Sequence, residues 1–342
     1  MKTTRTYNLL AAALAVALAL VANGAQAGEI GHYAPGVPNI RDFTVPDPGF
    51  YGVLYDYWYS TGRLNDRNGD KVSSITVGPA PGVTRGVNVD VDVYAVSPTF
   101  IWVSDWKILG AKYSAYVAPS FANSSVGASL STETGSGRSG AISSEFGVGD
   151  VFVQPLWLGW TLTNWDFALG YGFYAPVGRY NTETVTIVGT PIKTEALDNI
   201  GLGYWTHQVQ GASSWYPWAD KRMAVAGALT YEINQQKEGF DFTAGQRLTF
   251  NWGISQYLPL NKAQTMLLEV GPTGYDSWQI TDDTGSAAKN PGVHDQVHAV
   301  GGQVGLTYIP WMLSMNVHGF YEYSATDRFQ GQSFGLNISK KF

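Results

Sequence analysis

The chain contains no cysteine among its 342 residues, which excludes disulfides, zinc–thiolate centres and a cysteine nucleophile. Charge is scarce: Asp, Glu, Lys and Arg together make up 14% of the chain, about half the share usual in soluble proteins. The net charge of −6 carries no basic block, so no nucleic-acid partner is expected. Beyond the N-terminus no stretch approaches the roughly eighteen apolar residues of a transmembrane helix, and apolar residues at helical spacing scarcely recur.

The N-terminus has an address instead. Lys2 and Arg5 precede an apolar stretch from Leu9 to Ala22, and Ala25-Gln26-Ala27 closes it with small residues. That order is a secretory signal peptide, residues 1–27, with cleavage after Ala27. A retained anchor is the alternative, but the run is short for spanning a bilayer.

What the chain does have is glycine (40) and aromatics, with 12 Trp, 20 Tyr and 15 Phe. In water that composition would leave sticky patches; a lipid-embedded barrel uses it as an apolar band, two aromatic belts and flexible bends. Period-two alternation recurs throughout, as at Val87, Val89, Val91 and Val93, at Tyr55, Tyr57 and Tyr59, and at Phe334, Leu336 and Ile338. Counting such segments gives about twelve strands of the length a tilted crossing needs. They fall near 50–60, 86–97, 109–121, 146–158, 165–177, 200–212, 222–234, 240–255, 264–275, 297–309, 312–323 and 332–342. The connections alternate long and short, a rhythm that a soluble sandwich has no reason to keep. The expected fold is therefore all-β: a single antiparallel up-and-down transmembrane barrel over residues 50–342, in the bacterial outer membrane. An even strand number would place both termini in the periplasm. The final strand ending in Phe342 resembles the signal read by the barrel-assembly machinery, with Lys340 departing from its strict alternation. Lipid and lipopolysaccharide would surround the barrel.

Several short segments resemble one family. They are Gly147-Val148-Gly149-Asp150-Val151-Phe152-Val153-Gln154-Pro155, then Ala175-Pro176-Val177-Gly178-Arg179-Tyr180, Tyr231-Glu232-Ile233-Asn234, Gln279-Ile280-Thr281-Asp282-Asp283 and Gly331-Gln332-Ser333-Phe334-Gly335. In that order they resemble the SphA-like family named for the meta-pathway of phenol degradation. The resemblance implies an outer-membrane protein serving uptake of aromatic or hydrophobic compounds, and it supplies no catalytic residues.

If apolar strand faces meet lipid, the opposite faces line the lumen. This assigns Asp56, Asp90, Asp92, Asp150, Asp166, Glu232, Arg247, Asn251, Glu269, His318 and Glu322 to the interior, since charges facing the bilayer midplane are costly. They either orient a passing solute or bond to one another and fill the lumen. Their mostly acidic character disfavours an anion channel and suits neutral, cationic or hydrophobic solutes. Enzymatic activity is not expected: no Ser–His–acid arrangement stands out, and His294 and His298 lack further metal-ligand spacing. No cofactor is implied. Asn65-Asp66-Arg67-Asn68-Gly69-Asp70 resembles half of a calcium loop but lacks the distal glutamate, and such stretches are also ordinary turns. Trp102, Trp106, Trp157, Trp160, Trp165, Trp215, Trp218 and Trp311 read as an interface belt. The Pro-rich segment 28–49 fits no strand and is either a periplasmic tail or a plug that gates the barrel.

Overall fold

Alternating side chains and the absence of helical patterning leave the backbone one way to satisfy itself in lipid, a sheet closed on itself. The structure, a computed structural model, describes residues 31–77, 83–131, 138–187, 190–196 and 198–342. The expected signal peptide lies outside the described residues. Among the described residues sixteen strands follow one another: β1 (Gly49–Thr61), β2 (Ser74–Val77), β3 (Val83–Ile108), β4 (Ala111–Ser131), β5 (Arg138–Ser143), β6 (Gly147–Thr161), β7 (Trp165–Ala175), β8 (Thr182–Ile187), β9 (Thr190–Glu195), β10 (Thr206–Trp215), β11 (Met223–Asn234), β12 (Arg247–Pro259), β13 (Met266–Gln279), β14 (Gln296–Tyr308), β15 (Leu313–Thr326) and β16 (Gln332–Lys341).

Twelve of them form the barrel, in the order β1-β3-β4-β6-β7-β10-β11-β12-β13-β14-β15-β16. The seam closes where β16 pairs antiparallel with β1, from Tyr51 opposite Lys341 to Ser60 opposite Gln332. Both ends of the barrel chain meet at the rim that carries the short connections. At the opposite rim β2 extends the sheet beside β3, β5 extends it beside β4, and β8 with β9 forms a separate hairpin. The sequence-expected loops 61–85 and 122–145 thus contain strand, because β3 and β4 run on past the barrel wall as a projecting sheet.

The outer face is apolar. Phe50, Phe100, Leu169, Leu229, Val304, Leu306 and Phe334 are all exposed, an arrangement that suits lipid and would be an aggregation hazard in water. The inner face is small or polar, with Ser114, Thr206, Thr230, Thr249 and Ser255 buried.

Three expected lumen residues are on the other side. Asp56, opposite Val96 and two residues from Trp58, faces outward, where the Tyr94 hydroxyl donates to its carboxylate at 2.9 Å. Its strand carries aromatics on both faces, so hydropathy could not orient it. Asp90 and Asp92 are exposed, while Val87 and Val89 turn inward against Leu64. There β3, at 26 residues, outruns the bilayer, and the rule inverts: loop residues make a small core inside and water lies outside. Trp157 is also corrected. It is buried, not in the belt, because a bulge between Val153 and Leu156 reverses the parity of β6. Trp106, Trp165, Trp215, Trp218 and Trp311 are exposed as a belt requires.

Close strand approach depends on glycine at Gly301, where an added Cβ would collide with the Gly319 carbonyl oxygen. Gly301→Ala is expected to destabilise the refolded barrel by about 1–3 kcal/mol, read from denaturant unfolding. An unchanged midpoint would show that β14 and β15 have slack at this level.

Candidate functional site

Residues 31–48 thread the lumen. Pro35, Pro38, Pro46 and Pro48 forbid ladder pairing, so the segment's polar groups need partners from the wall. A short 3-10 turn, Ile40–Phe43, is capped reciprocally: Arg41 N donates to Asn39 Oδ1 at 2.8 Å, and Asn39 N donates to Asp42 Oδ2 at 3.2 Å. Ile40, Phe43 and Val45 pack against Val103, Trp157, Ala168, Ala212, Ala226 and Ala228. The wall side chains here are mostly alanine, which leaves room for the segment.

Most of the polar anchors fall on one wall, though Lys112 on β4 donates to the Pro46 carbonyl at 3.1 Å and Asn337 on β16 to the Val37 carbonyl at 3.0 Å. Glu232 Oε1 accepts the backbone N–H groups of His32 and Tyr33, both at 2.9 Å. Asn251 Oδ1 accepts from Gly36 N at 3.0 Å, and Glu269 Oε2 accepts from Asn39 Nδ2 at 3.1 Å. Arg41 donates through Nε to Ser255 Oγ at 2.7 Å, lies 3.4 Å from Glu269 and stacks 4.0 Å over the Tyr257 ring. At the tip, His32 Nε2 is 2.9 Å from Asp150 Oδ2, Nδ1 is 2.8 Å from Thr206, and the ring stacks on Tyr174 at 4.7 Å. Asp150 also accepts from Gly178 N and Leu202 N at 2.9 and 2.8 Å. The Gly-Asp segment therefore joins the plug tip to both ends of the long β7–β10 connection.

The remaining inward candidates are bonded too. Asp166 takes Lys221 Nζ at 2.7 Å and the Tyr216 hydroxyl at 2.8 Å, at the short-turn rim. Arg247 donates to Asp295 at 2.6 Å, with Arg328 3.4 Å from the same carboxylate. Glu322 accepts the Tyr59 and Tyr275 hydroxyls, both at 2.9 Å, and Gly331 N at 2.6 Å. His318 is buried with Nδ1 3.1 Å from Asn316 Oδ1. Between β11 and β16 these groups fill the lumen instead of lining an open pore. The residues near the loops do not assemble a further lumen site: His294 meets Asp282, whereas His298 meets Asp276 on the outer face, and Asp66 closes a turn by accepting Asn68 N and Asp70 N. No cluster of three metal-ligating side chains occurs among the described residues.

The other wall is different. A cavity of about 450 Å³ runs between the plug and strands β1, β3, β4, β6 and β7, from Ile200 and Leu202 near the long loops to Pro46 and Tyr51 near the short-turn rim. Tyr55, Tyr57, Tyr116, Phe152, Trp157 and Tyr174 supply the rings around it. Its size is in the range of small-molecule sites. Sequence reasoning missed this wall, because inward tyrosines read like an outer belt, and it missed Arg41 and His32, which have no periodicity to mark them.

Asp42 lies at the junction of plug and cavity, accepting from the Tyr55 hydroxyl at 3.3 Å. Burial, and then the negative charge of Glu269, raises its carboxyl from 3.8 to about 7. The docked plug thus retains a proton that a free plug would release near pH 4. Docking is at full strength below about pH 4, weakens as pH rises toward about 7, and levels off above that. Hydrogen exchange of residues 31–48, corrected for intrinsic rate, should rise over that window, and Asp42→Asn should flatten it; equal pH slopes in the two proteins would refute this.

The family model described as "Putative MetA-pathway of phenol degradation" matches residues 61–338. No curated protein matches the chain. Among solved structures, the COG4313 outer membrane channel from Pseudomonas putida F1 superposes with a TM-score of 0.54 at 15% identity, covering 91% of this chain and 100% of that one. The translocator domain of autotransporter NalP from Neisseria meningitidis gives 0.45 at 11% identity, covering 88% and 91%. The CymD monoaromatic hydrocarbon channel gives 0.36 at 13% identity, covering 94% and 97%. At these identities the likeness is one of fold.

Proposed function

The chain belongs to the family of the MetA-pathway of phenol degradation, and from that premise we propose that it is an outer-membrane channel for passive uptake of small hydrophobic or aromatic compounds. The ring-lined cavity running beside the plug carries this reading. An aromatic solute entering from the long-loop side exchanges water for tyrosine, phenylalanine and tryptophan faces, which favour offset or edge contacts with it. The side chains have no catalytic step to perform; they desolvate, orient and release.

In this reading the long loops face the exterior, both termini face the periplasm, and residues 1–27 are a signal peptide removed after Ala27. The apolar band contacts lipid, and lipopolysaccharide surrounds the outer rim. Phe342, exposed at the end of β16, addresses the barrel-assembly machinery. Lys340 fits the terminal strand because its ammonium reaches the Trp311 carbonyl at 2.8 Å, snorkelling to the rim. A structural or adhesive barrel is the second reading, favoured by the bonded half of the lumen around Arg247, Asp295 and Glu322.

Uptake of a labelled monocyclic aromatic by cells with and without the protein separates the two. Ala118 lines the cavity, and Ala118→Trp should cut uptake several-fold while the barrel folds normally. Uptake no higher with the protein than without it would favour the structural reading, and unchanged uptake in the variant would exclude this cavity as the route. Deleting residues 31–46 should raise the conductance of the refolded barrel in a planar bilayer, by removing the segment that closes the short-turn end. Conductance equal to that of the full chain would sink the gating role of the plug.

A further inference from the structure

A carboxylate, an imidazole and a hydroxyl stand in one row on the outer face, close to the long-loop rim. Asp276 on β13 is directly opposite His298 on β14, and His298 is directly opposite Ser324 on β15. His298 Nδ1 lies 2.6 Å from Asp276 Oδ1, with the two side chains 22% and 20% exposed. Trp252 Nε1 donates to the second carboxylate oxygen, Asp276 Oδ2, at 3.0 Å. Trp278 and Tyr323 flank the imidazole, with ring centres 5.6 and 6.1 Å away. The acid and the ring are thus held by their neighbours. Asp276 takes Nδ1, which leaves Nε2 as the nitrogen able to accept a proton.

Ser324 joins the row through a bulge. Ala299 pairs with Glu322 while His298 pairs with Ser324, so Tyr323 is an extra residue on β15. Glu322 and Ala325 are both buried, and the two residues between them therefore share the outer face. Directly opposed residues on one face have Cβ atoms roughly 4.5–5.5 Å apart, a separation that a serine hydroxyl and an imidazole can bridge. Tyr323 also lies beyond the β15–β16 ladder, which ends with Tyr321 opposite Gln332. Its backbone N–H, next to the hydroxyl and outside both ladders, is placed to meet a developing oxyanion.

An apolar groove adjoins the row. With a volume of about 720 Å³, it starts at Val300 and Tyr321 and runs over Gly319 and Phe334 to Trp58 and Tyr94. Val300, Tyr321, Phe334 and Trp58 are exposed along it, and Gly319 lowers its floor. Walls of this kind suit a hydrocarbon chain. The level suits an ester: Trp252, Trp278, Tyr321 and Tyr323 mark the belt where aromatic rings meet lipid headgroups.

We propose that Ser324, His298 and Asp276 form an esterase site for long-chain carboxylic esters lying in the outer leaflet, with the acyl chain in the groove. The inference takes the exterior orientation of the long loops from the reading above and does not depend on solute uptake. Ser324 Oγ adds to the ester carbonyl carbon as its proton passes to His298 Nε2. The bond to the alcohol oxygen then breaks, and that oxygen leaves with the proton from Nε2. Water adds to the acyl carbon in turn and gives a proton to Nε2. The bond to Oγ breaks, Oγ recovers the proton, and the carboxylic acid departs. Asp276 touches no reacting atom and acts by positioning the ring.

The refolded protein in detergent micelles, given p-nitrophenyl palmitate and p-nitrophenyl butyrate, tests this. Palmitate should be cleaved faster, and Ser324→Ala or His298→Asn should lower the rate by roughly a thousandfold. Asp276→Asn should lower kcat steeply and leave KM unchanged, a split that unfolding would not produce. A Cβ at Gly319 comes no nearer than 3.5 Å to any neighbour, so Gly319→Leu can fill the groove; it should erase the preference for palmitate while butyrate cleavage continues. Fatty-acid release from phospholipid vesicles would identify the lipid itself as the source. Cleavage of the palmitate probe alone would identify an ester dissolved in the leaflet, and either supports the site. A wild-type rate no higher than that of Ser324→Ala on every probe would overturn it. Aromatic uptake by cells carrying Ser324→Ala should equal that of the wild type, so each reading stands or falls alone.

Discussion

Everything in this molecule depends on the pairing of backbone groups where no water can replace a partner. In hydrocarbon an unpaired N–H or C=O costs several kcal/mol, so the β1–β16 seam has to close, and its ten-residue register from Tyr51 to Ser60 does so. Closure settles the rest in turn. A twelve-stranded wall encloses more volume than its own small inward side chains fill. That surplus is what a segment unable to join any sheet, residues 31–48, comes to occupy.

Filling the lumen with a proline-rich segment brings new polar groups into a confined space. Each is met by a wall residue of matching type: carboxylates for the N–H groups of His32 and Tyr33, a carboxamide for Gly36, a hydroxyl and a carboxylate for Arg41. Pairing of this kind offsets the desolvation of the charges involved. Because most of these anchors lie on β10–β13, with, among the described residues, only Asp150, Tyr55, Lys112 and Asn337 reaching the plug from other strands, the plug is drawn to one side. The opposite wall, with tyrosines and few charges, is left with the cavity. The asymmetry of the lumen is thus a consequence of where the plug's hydrogen bonds go.

Bulges and in-wall prolines modulate this plan. The bulge in β6 turns Trp157 from lipid to lumen, giving the plug a broad apolar surface. Pro98 and Pro119 withhold donors on adjoining strands beside the cavity, whereas Pro272 does so where Ile40 of the plug backs the wall.

Much of the architecture was readable in the chain. Alternation at period two, loop lengths that alternate, and scarce charge are direct expressions of strands that cross lipid, so strand number and the all-β barrel followed from residues such as Phe334, Leu336 and Ile338. So did the enclosure of Asp150, Glu232, Arg247, Asn251, Glu269, His318 and Glu322, since burying a charge in lipid is the more expensive alternative. Which face of an ambiguous strand turns inward was not readable. Asp56 shares β1 with aromatics on both sides, Asp90 and Asp92 lie where the sheet leaves the membrane, and Trp157 follows a bulge. Nor could the chain alone say which distant groups would meet. His32 with Asp150 and Arg41 with Ser255 are separated by more than a hundred residues, and local sequence carries no signal at that range. The sequence by itself determined that strands form and close, because periodicity and backbone pairing act residue by residue. The tertiary structure decided what the closed wall surrounds, because that depends on volume and on partners that only closure brings together.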